Sequence, residues 1–312
     1  RNKLDANGSN QISRAGAVYI YSFSAIGGVT FHQKIVSSER GSNDEFGHSI
    51  AFNENSLVIG ANLKSDSVSG VWTLYLGSVY VFKEDSFGFW SESEKFSSPD
   101  KARLDQFGSS MSIYDSTLAI GAPWKQYDSL GFNVVSSAGA IYIYQQASSG
   151  NWIFKQKIIS EDIKNSNGYG VSLALNSDTL LIGFPRDNPY VSLSSFGRQS
   201  GSVCVYSKNR NGVWNYKNKM VSSDDTTCRA NDQFGTSIAI YGSNVIIGAP
   251  SDGTTIYTCS ADTVNNAGSI YFMKLNYISQ KEVKKENIKI TLYPNPTSNI
   301  ISIKETNIKI NS

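Results

Sequence analysis

Four kinds of apolar stretch recur along the chain in one fixed order, separated by clusters of Gly, Asn, Asp and Ser. The first opens on an aromatic–glycine pair, at Phe46, Phe107, Tyr169 and Phe234, and continues through small residues such as Gly47, Ser49 and Ala51. The second is almost wholly apolar (LVIGA, LAIGA, LLIGF, VIIGA), with its glycines at Gly60, Gly121, Gly183 and Gly248. The third is GAVYIY and its relatives, from Gly16, Gly77, Gly139, Gly201 and Gly268. The fourth alternates apolar and polar residues, as in WIFKQKI from Trp152, with WSESEKF from Trp90, WNYKNKM from Trp214 and VTFHQKI from Val29.

Each stretch predicts a β-strand. All are short, the third and fourth are rich in β-branched and aromatic residues, and turn formers bound the whole set. No window holds an apolar 3.6-residue period long enough for a helix. The aromatic of the first stretch returns after 61, 62 and 65 residues, a repeat that governs the architecture. Four antiparallel strands in about 60 residues form a propeller blade, so the predicted fold is an all-β propeller.

The strand positions within a blade follow from their patterns. The small first stretch suits the innermost strand, where wedge-shaped blades converge. The unbroken second run suits a strand covered on both faces. The alternating fourth suits an outer strand, with Trp152, Phe154, Gln156 and Ile158 on one face and Ile153, Lys155 and Lys157 on the other. First and second strands are joined by four-residue turns such as Asn53–Ser56. Second and third strands are joined by polar links of about 15 residues, the most variable part of the repeat.

Residues 1–278 therefore read as the propeller, N-terminally truncated, with complete blades over 43–98, 104–160 and 166–222. A half blade precedes them, and a final blade from Asn231 to Leu275 lacks a fourth strand, which predicts an open or imperfectly closed ring. Residues 279–290 read as a charged linker, and 291–312 as the start of a separate domain.

Composition narrows the function. Hydrophobic residues make up 40% of the chain, enough for a substantial core. A net charge of +2 and only 17% charged residues give no field for nucleic acid or an anionic membrane. No apolar stretch approaches the roughly 20 residues of a membrane-spanning helix.

The repeated FG…GAP pattern resembles the FG-GAP β-propellers, among them the heads of integrin α chains and many bacterial surface proteins, over nearly all of residues 1–276. The resemblance implies a secreted or cell-surface (outer-membrane) adhesion or binding module that takes a glycan or a protein. The tail LYPNPTSNIISI, Leu292 to Ile303, resembles the start of a C-terminal sorting domain for type IX secretion, which implies an export machinery as a partner. Calcium-binding members carry a DxDxDGxxD loop between the FG and GAP strands. Here that join is a four-residue turn with at most one acid, whereas calcium needs six to eight oxygens, so the family's calcium sites are not carried over and no cofactor is expected.

Candidate chemistry lies mostly outside the repeated residues. The acid before each FG (Asp44, Asp105 and Asp232, with Asn167 in the remaining copy) reads either as a ring of carboxylates or as an Asx turn capping local N–H groups. Asn in one copy favours the turn. The two histidines, His32 and His48, have no repeated partner, so no catalytic residue is assigned. Link aromatics Trp124, Tyr127, Phe132, Tyr190 and Tyr257 are candidate ligand contacts. Cys228 and Cys259 fall in links at one end of the last blade, which permits a disulfide, while Cys204 replaces a third-strand Tyr and is expected as a buried thiol. The alternative function is a secreted hydrolase or lyase with its site in the propeller channel.

Overall fold

The computed structural model describes residues 2–4, 11–24, 27–126, 137–160, 168–189, 199–222, 232–252, 268–275 and 287–290. The chain divides into two compact units, Arg1–Gly170 and Val171–Ser312. Every regular element among the described residues is a β-strand.

In the first unit, a short hairpin of β1 (Asn2–Leu4) and β2 (Gln11–Ser13) precedes the two-stranded sheet of β3 (Val18–Phe23) and β4 (Val29–Ile35), the expected half blade. The first complete blade contains β5 (Ser49–Asn53) and β6 (Ser56–Ala61). A small hairpin of β7 (Asp66–Val68) and β8 (Val71–Thr73) follows, and β9 (Ser78–Glu84) and β10 (Trp90–Phe96) complete the sheet in the order β10-β9-β6-β5. The second blade is β11 (Ser110–Tyr114), β12 (Thr117–Ala122), β13 (Ala140–Gln146) and β14 (Trp152–Ile158). In the second unit, β15 (Leu173–Leu175), β16 (Thr179–Phe184), β17 (Ser202–Lys208) and β18 (Trp214–Met220) form one up-and-down sheet. A further sheet joins β19 (Ser237–Tyr241), β20 (Asn244–Ala249), β21 (Ser269–Lys274) and β22 (Asn287–Ile290).

That last strand corrects the sequence reading. The stretch expected as a linker supplies the fourth strand of the final blade, pairing Ile270 with Ile290 and Tyr271 with Lys289. NIKI alternates like any outer strand, but the preceding run of Lys and Glu hides the pattern.

The cores lie between sheets. Val58, Val79 and Val81 of the first blade meet Phe107, Leu118, Ile120, Tyr142 and Tyr144 of the second. Val18 and Ile35 of the half blade meet Phe46, Leu57, Ile59, Tyr80 and Phe82 of the first blade. In the second unit, Leu181, Val203 and Val205 meet Phe234, Val245, Ile247 and Tyr271. The second strands β6, β12 and β16 are buried along their whole length, as Leu118, Ala119 and Ile120, all at 0% exposure, illustrate, whereas Ile246 of β20 is 45% exposed.

The FG turn belongs to this seam. The Phe107 amide donates to the Leu76 carbonyl of the preceding blade (3.0 Å) while its ring packs edge-on against Tyr142 (5.4 Å) of its own. A methyl group on Gly77 would sit 2.1 Å from the Phe107 carbonyl, so the third strand must open on glycine. The small first-strand residues have a specific task here. Ser49, Ser110 and Ser172 each donate a side-chain hydrogen bond to the FG glycine carbonyl of the next repeat, at Gly108 (2.6 Å), Gly170 (2.6 Å) and Gly235 (2.7 Å).

A second correction concerns the outer strands. The register slips between Ile143 and Tyr144, so Tyr144 faces Phe154 while Tyr142 faces Lys157. This β-bulge inserts one residue and flips the faces beyond it. Lys157, not Gln156 or Ile158, therefore joins the face of Trp152 and Phe154. The same slip recurs in β4, β10 and β18.

Candidate functional site

The bulge places a lysine opposite the third-strand aromatic position in the half blade and the first three complete blades: Tyr19–Lys34, Tyr80–Lys95, Tyr142–Lys157 and, where cysteine replaces tyrosine, Cys204–Lys219. Tyr271 faces Lys289 at the same register position. The pairs lie at the end of the blade from which the long links emerge, and there the charged side chains gather.

Each link is tied at its neck. The Lys64 amide donates to the Ala61 carbonyl (3.0 Å), and the Lys64 carbonyl accepts from Gly77, the first residue of the third stretch (3.0 Å). Lys125 with Gly139 (3.1 Å), Asp187 with Gly201 (3.1 Å) and Asp252 with Gly268 (2.9 Å) repeat that bond. Between these fixed points lie 12, 13, 13 and 15 residues. An excursion closed at both ends in this way has its ends close together, as in an Ω-loop.

The acid before FG locks the neck. Asp44 accepts from the Gly41 amide (2.6 Å) and from Lys64 Nζ (2.9 Å), and Lys64 also donates to the Glu39 carbonyl (2.5 Å). In the next repeat Asp105 accepts from the Ala102 amide (2.7 Å) and Lys125 Nζ (2.8 Å), and Lys125 also donates to the Asp100 carbonyl. Asp44 and Asp105 thus cap local backbone, as an Asx-type role requires, and each holds a buried ammonium. The neck residue lies 20 positions after Asp44, Asp105, Asn167 and Asp232 in turn. In the third and fourth it is an aspartate. Asp187 accepts from Ser202 (2.6 Å) and pairs with Lys219 (2.9 Å), while Asp252 accepts from the Tyr271 hydroxyl (2.8 Å).

Burial dominates the electrostatics of the second neck. Asp105 and Lys125 are 0% and 1% exposed, and Asp105 Oδ1 has no hydrogen-bond partner. Burial pushes Asp105 up to about 6, against the opposing pull of Lys125 and the Ala102 amide. At Asp100 burial also acts upward, but hydrogen bonds from Lys157 and Tyr142 prevail and hold the carboxyl below the usual range. The Tyr142 hydroxyl, buried and beside Asp100, is held protonated well above its ordinary value.

Above the first neck the link forms the β7–β8 hairpin, pairing Asp66 with Thr73, Ser67 with Trp72 and Val68 with Val71. Ser69 (φ 50°) and Gly70 (φ 83°) make its two-residue turn, both in the left-handed region favoured at hairpin tips. The hairpin displays Val71, Trp72 and Leu74, exposed by 66%, 68% and 38%. The sequence reading missed Trp72, although the S-G pair between two apolar residues is a turn signal.

The aromatics singled out from sequence are placed differently. Trp124 is half-buried directly before the neck residue Lys125 and engaged in contacts there. Tyr127, Phe132, Tyr190 and Tyr257 lie outside the described residues, as do Cys228, Cys259 and the LYPNP segment. Cys204 is a buried free thiol. His32 stacks on Phe89 (4.9 Å) and His48 lies 3.6 Å from Glu45. Among the described residues, no three His, Cys, Asp or Glu side chains form a metal-binding group.

The first and third of the turns that join first and second strands are held by their own asparagines. Asn53 Oδ1 accepts from the Asn55 and Ser56 amides (3.0 and 2.9 Å), and its Nδ2 donates to the Asp115 carbonyl in the next blade's turn (2.7 Å). Asn176 repeats this toward Gly242 (3.0 Å).

No curated protein matches the chain. The FG-GAP repeat family matches residues 29–82, 90–144 and 214–272, together more than half of the sequence. Each match begins in the outer strand of one blade and ends in the third strand of the next, so it spans the FG seam and one neck. By these matches, and by blades whose seams are built from the matched residues, the chain belongs to the FG-GAP repeat family.

Proposed function

We propose that the protein is an exported, surface-displayed binding or adhesion module that engages a glycan or a protein through its link tips. The observation that carries this reading is the first link. A hairpin pinned at its neck by a buried Lys64–Asp44 pair presents Trp72 and Val71 to solvent, where neither contributes to a core. An amphipathic indole on a stiff support loses little freedom on stacking against a sugar ring or filling a protein pocket. The LYPNP tail, similar to the start of a sorting domain, supports export through a dedicated machinery.

The test is binding of the full chain to glycan and protein arrays, with and without calcium, beside a Trp72→Ala variant. The reading expects at least one ligand class whose signal falls about tenfold or more in the variant while the melting temperature is unchanged. A signal unaffected by Trp72→Ala, or native protein confined to the cytoplasm, would refute it.

A further inference from the structure

We infer that the outer edge of β21 is a docking site shared by two segments of this same chain, β22 (Asn287–Ile290) and the identical sequence Asn307–Ile310 that follows 20 residues later. The inference is independent of the function proposed above. β21 pairs Ile270 with Ile290, Tyr271 with Lys289, Phe272 with Ile288 and Met273 with Asn287. Every β22 residue of that ladder recurs, so the second copy would offer Ile310, Lys309, Ile308 and Asn307 to the same four partners. Register is set by the alternation of residue types along a strand, and the two copies alternate identically.

What holds the other outer strands is missing from β22. The fourth strands β4, β10, β14 and β18 are seven residues long. Each carries a bulge, which pins its register. β22 has four residues and pairs without a slip. The other four also follow their third strands after only five residues. A backbone hydrogen bond closes each of those turns, Ser24 to Gly28 (2.9 Å), Asp85 to Phe89 (2.9 Å), Ala147 to Asn151 (2.8 Å) and Asn209 to Val213 (2.9 Å). Between Lys274 and Asn287 there are 12 residues, 275–286, so one segment can replace the other without dismantling a tight hairpin. Docking the second copy lengthens that connection to 32 residues, 275–306, and loop-closure entropy then favours β22 by only about fourfold. The exchange changes how the chain beyond the blade is presented. With β22 docked, Leu292–Pro296 lies in the tail; with the second copy docked, it lies inside a segment held at both ends.

The test is hydrogen exchange of the 312-residue chain, read by mass spectrometry on peptides covering 287–290 and 307–310. The second copy displaces the first for about a fifth of the time, so protection of the β22 amides is expected to stop at about fivefold. Ile308→Lys should raise that ceiling at least about twofold. Ile288→Lys should transfer protection to 307–310 while β21 stays protected. Disulfide trapping supplies a second reading: Met273→Cys should crosslink with Asn307→Cys as well as with Asn287→Cys, and with Asn307→Cys more completely once Ile288→Lys is added. Unchanged β22 protection in Ile308→Lys, or an Ile288→Lys variant that gains no protection at 307–310, would overturn the proposal. So would protection at 307–310 that grows with protein concentration, which would seat the second copy on a neighbouring chain.

Discussion

The seam between blades makes a sharp demand on the glycine of the second strand, and the second unit contains its own control. A Cβ on Gly183 would lie 2.0 Å from Ser172 Oγ and 2.2 Å from the Gly235 carbonyl oxygen, which belongs to the FG turn of the next repeat. Ordinary contact would require that backbone to retreat by about 1 Å, breaking the Ser172–Gly235 hydrogen bond. Overpacking of this kind costs about 1–3 kcal/mol, and the lost hydrogen bond adds about 1 kcal/mol. At Gly248 the same Cβ meets Ser237 Oγ at 2.3 Å, but its next contacts are at 3.7 and 3.9 Å, and Ser237 can turn away. Gly183→Ala is therefore expected to destabilise the unit by roughly 2–4 kcal/mol, and Gly248→Ala by less than about 1 kcal/mol. Both lie in one compact unit, so urea denaturation followed by circular dichroism compares them against one transition. Equal costs would refute the claim that the incoming turn, not strand geometry, selects glycine.

Other consequences follow from the same packing. Phe107→Ala removes a ring with 0% exposure from the seam between the first two complete blades and should cost about 3–5 kcal/mol in chemical denaturation. Asp105, raised to about 6, keeps a proton in the folded state that the unfolded chain releases near its ordinary value, so its contribution to stability is present at low pH and lost as pH rises through about 6. Wild type should accordingly lose up to about 3 kcal/mol relative to Asp105→Asn between about pH 4 and 7, measured by urea titration at each pH. Trp72→Ala should leave the melting temperature unchanged yet remove the largest single share of the iodide-quenchable fluorescence, since Trp90 and Trp124 are half-buried and Trp152 and Trp214 are 5% and 2% exposed.

How much of this could be read from the chain depended on whether a role leaves a mark in residue type. Burial on both faces does: the unbroken LAIGA run announces β12, and its Leu118, Ala119 and Ile120 are wholly enclosed. The FG pair does as well, because only glycine tolerates the approach of two backbones. A β-bulge leaves no such mark. One extra residue in WIFKQKI changes which side chains share a face without changing composition, so simple alternation puts Lys157 on the wrong side. The hairpin carrying Trp72 is not legible in the sequence because its strands are three residues each, too short for a period to be evident. The neck pair was visible as Asp44 and Lys64 or Asp105 and Lys125, 20 residues apart, but Asp187 and Asp252 at the matching later positions concealed the spacing.

That exchange also shows why the links are free to vary. In the first two repeats the neck residue is a cation neutralised by the FG acid. At Asp187 it is an anion neutralised by Lys219, the lysine that the outer-strand bulge delivers. The tie that matters to the fold is the backbone bond from the third-strand glycine to the neck carbonyl, which survives either choice of side chain. A change of link sequence or length therefore costs mainly loop-closure entropy, which grows slowly with length, and it leaves the interblade seams unaltered. Residues that repeat are committed to packing, and a new surface chemistry can be carried on a neck without renegotiating that packing.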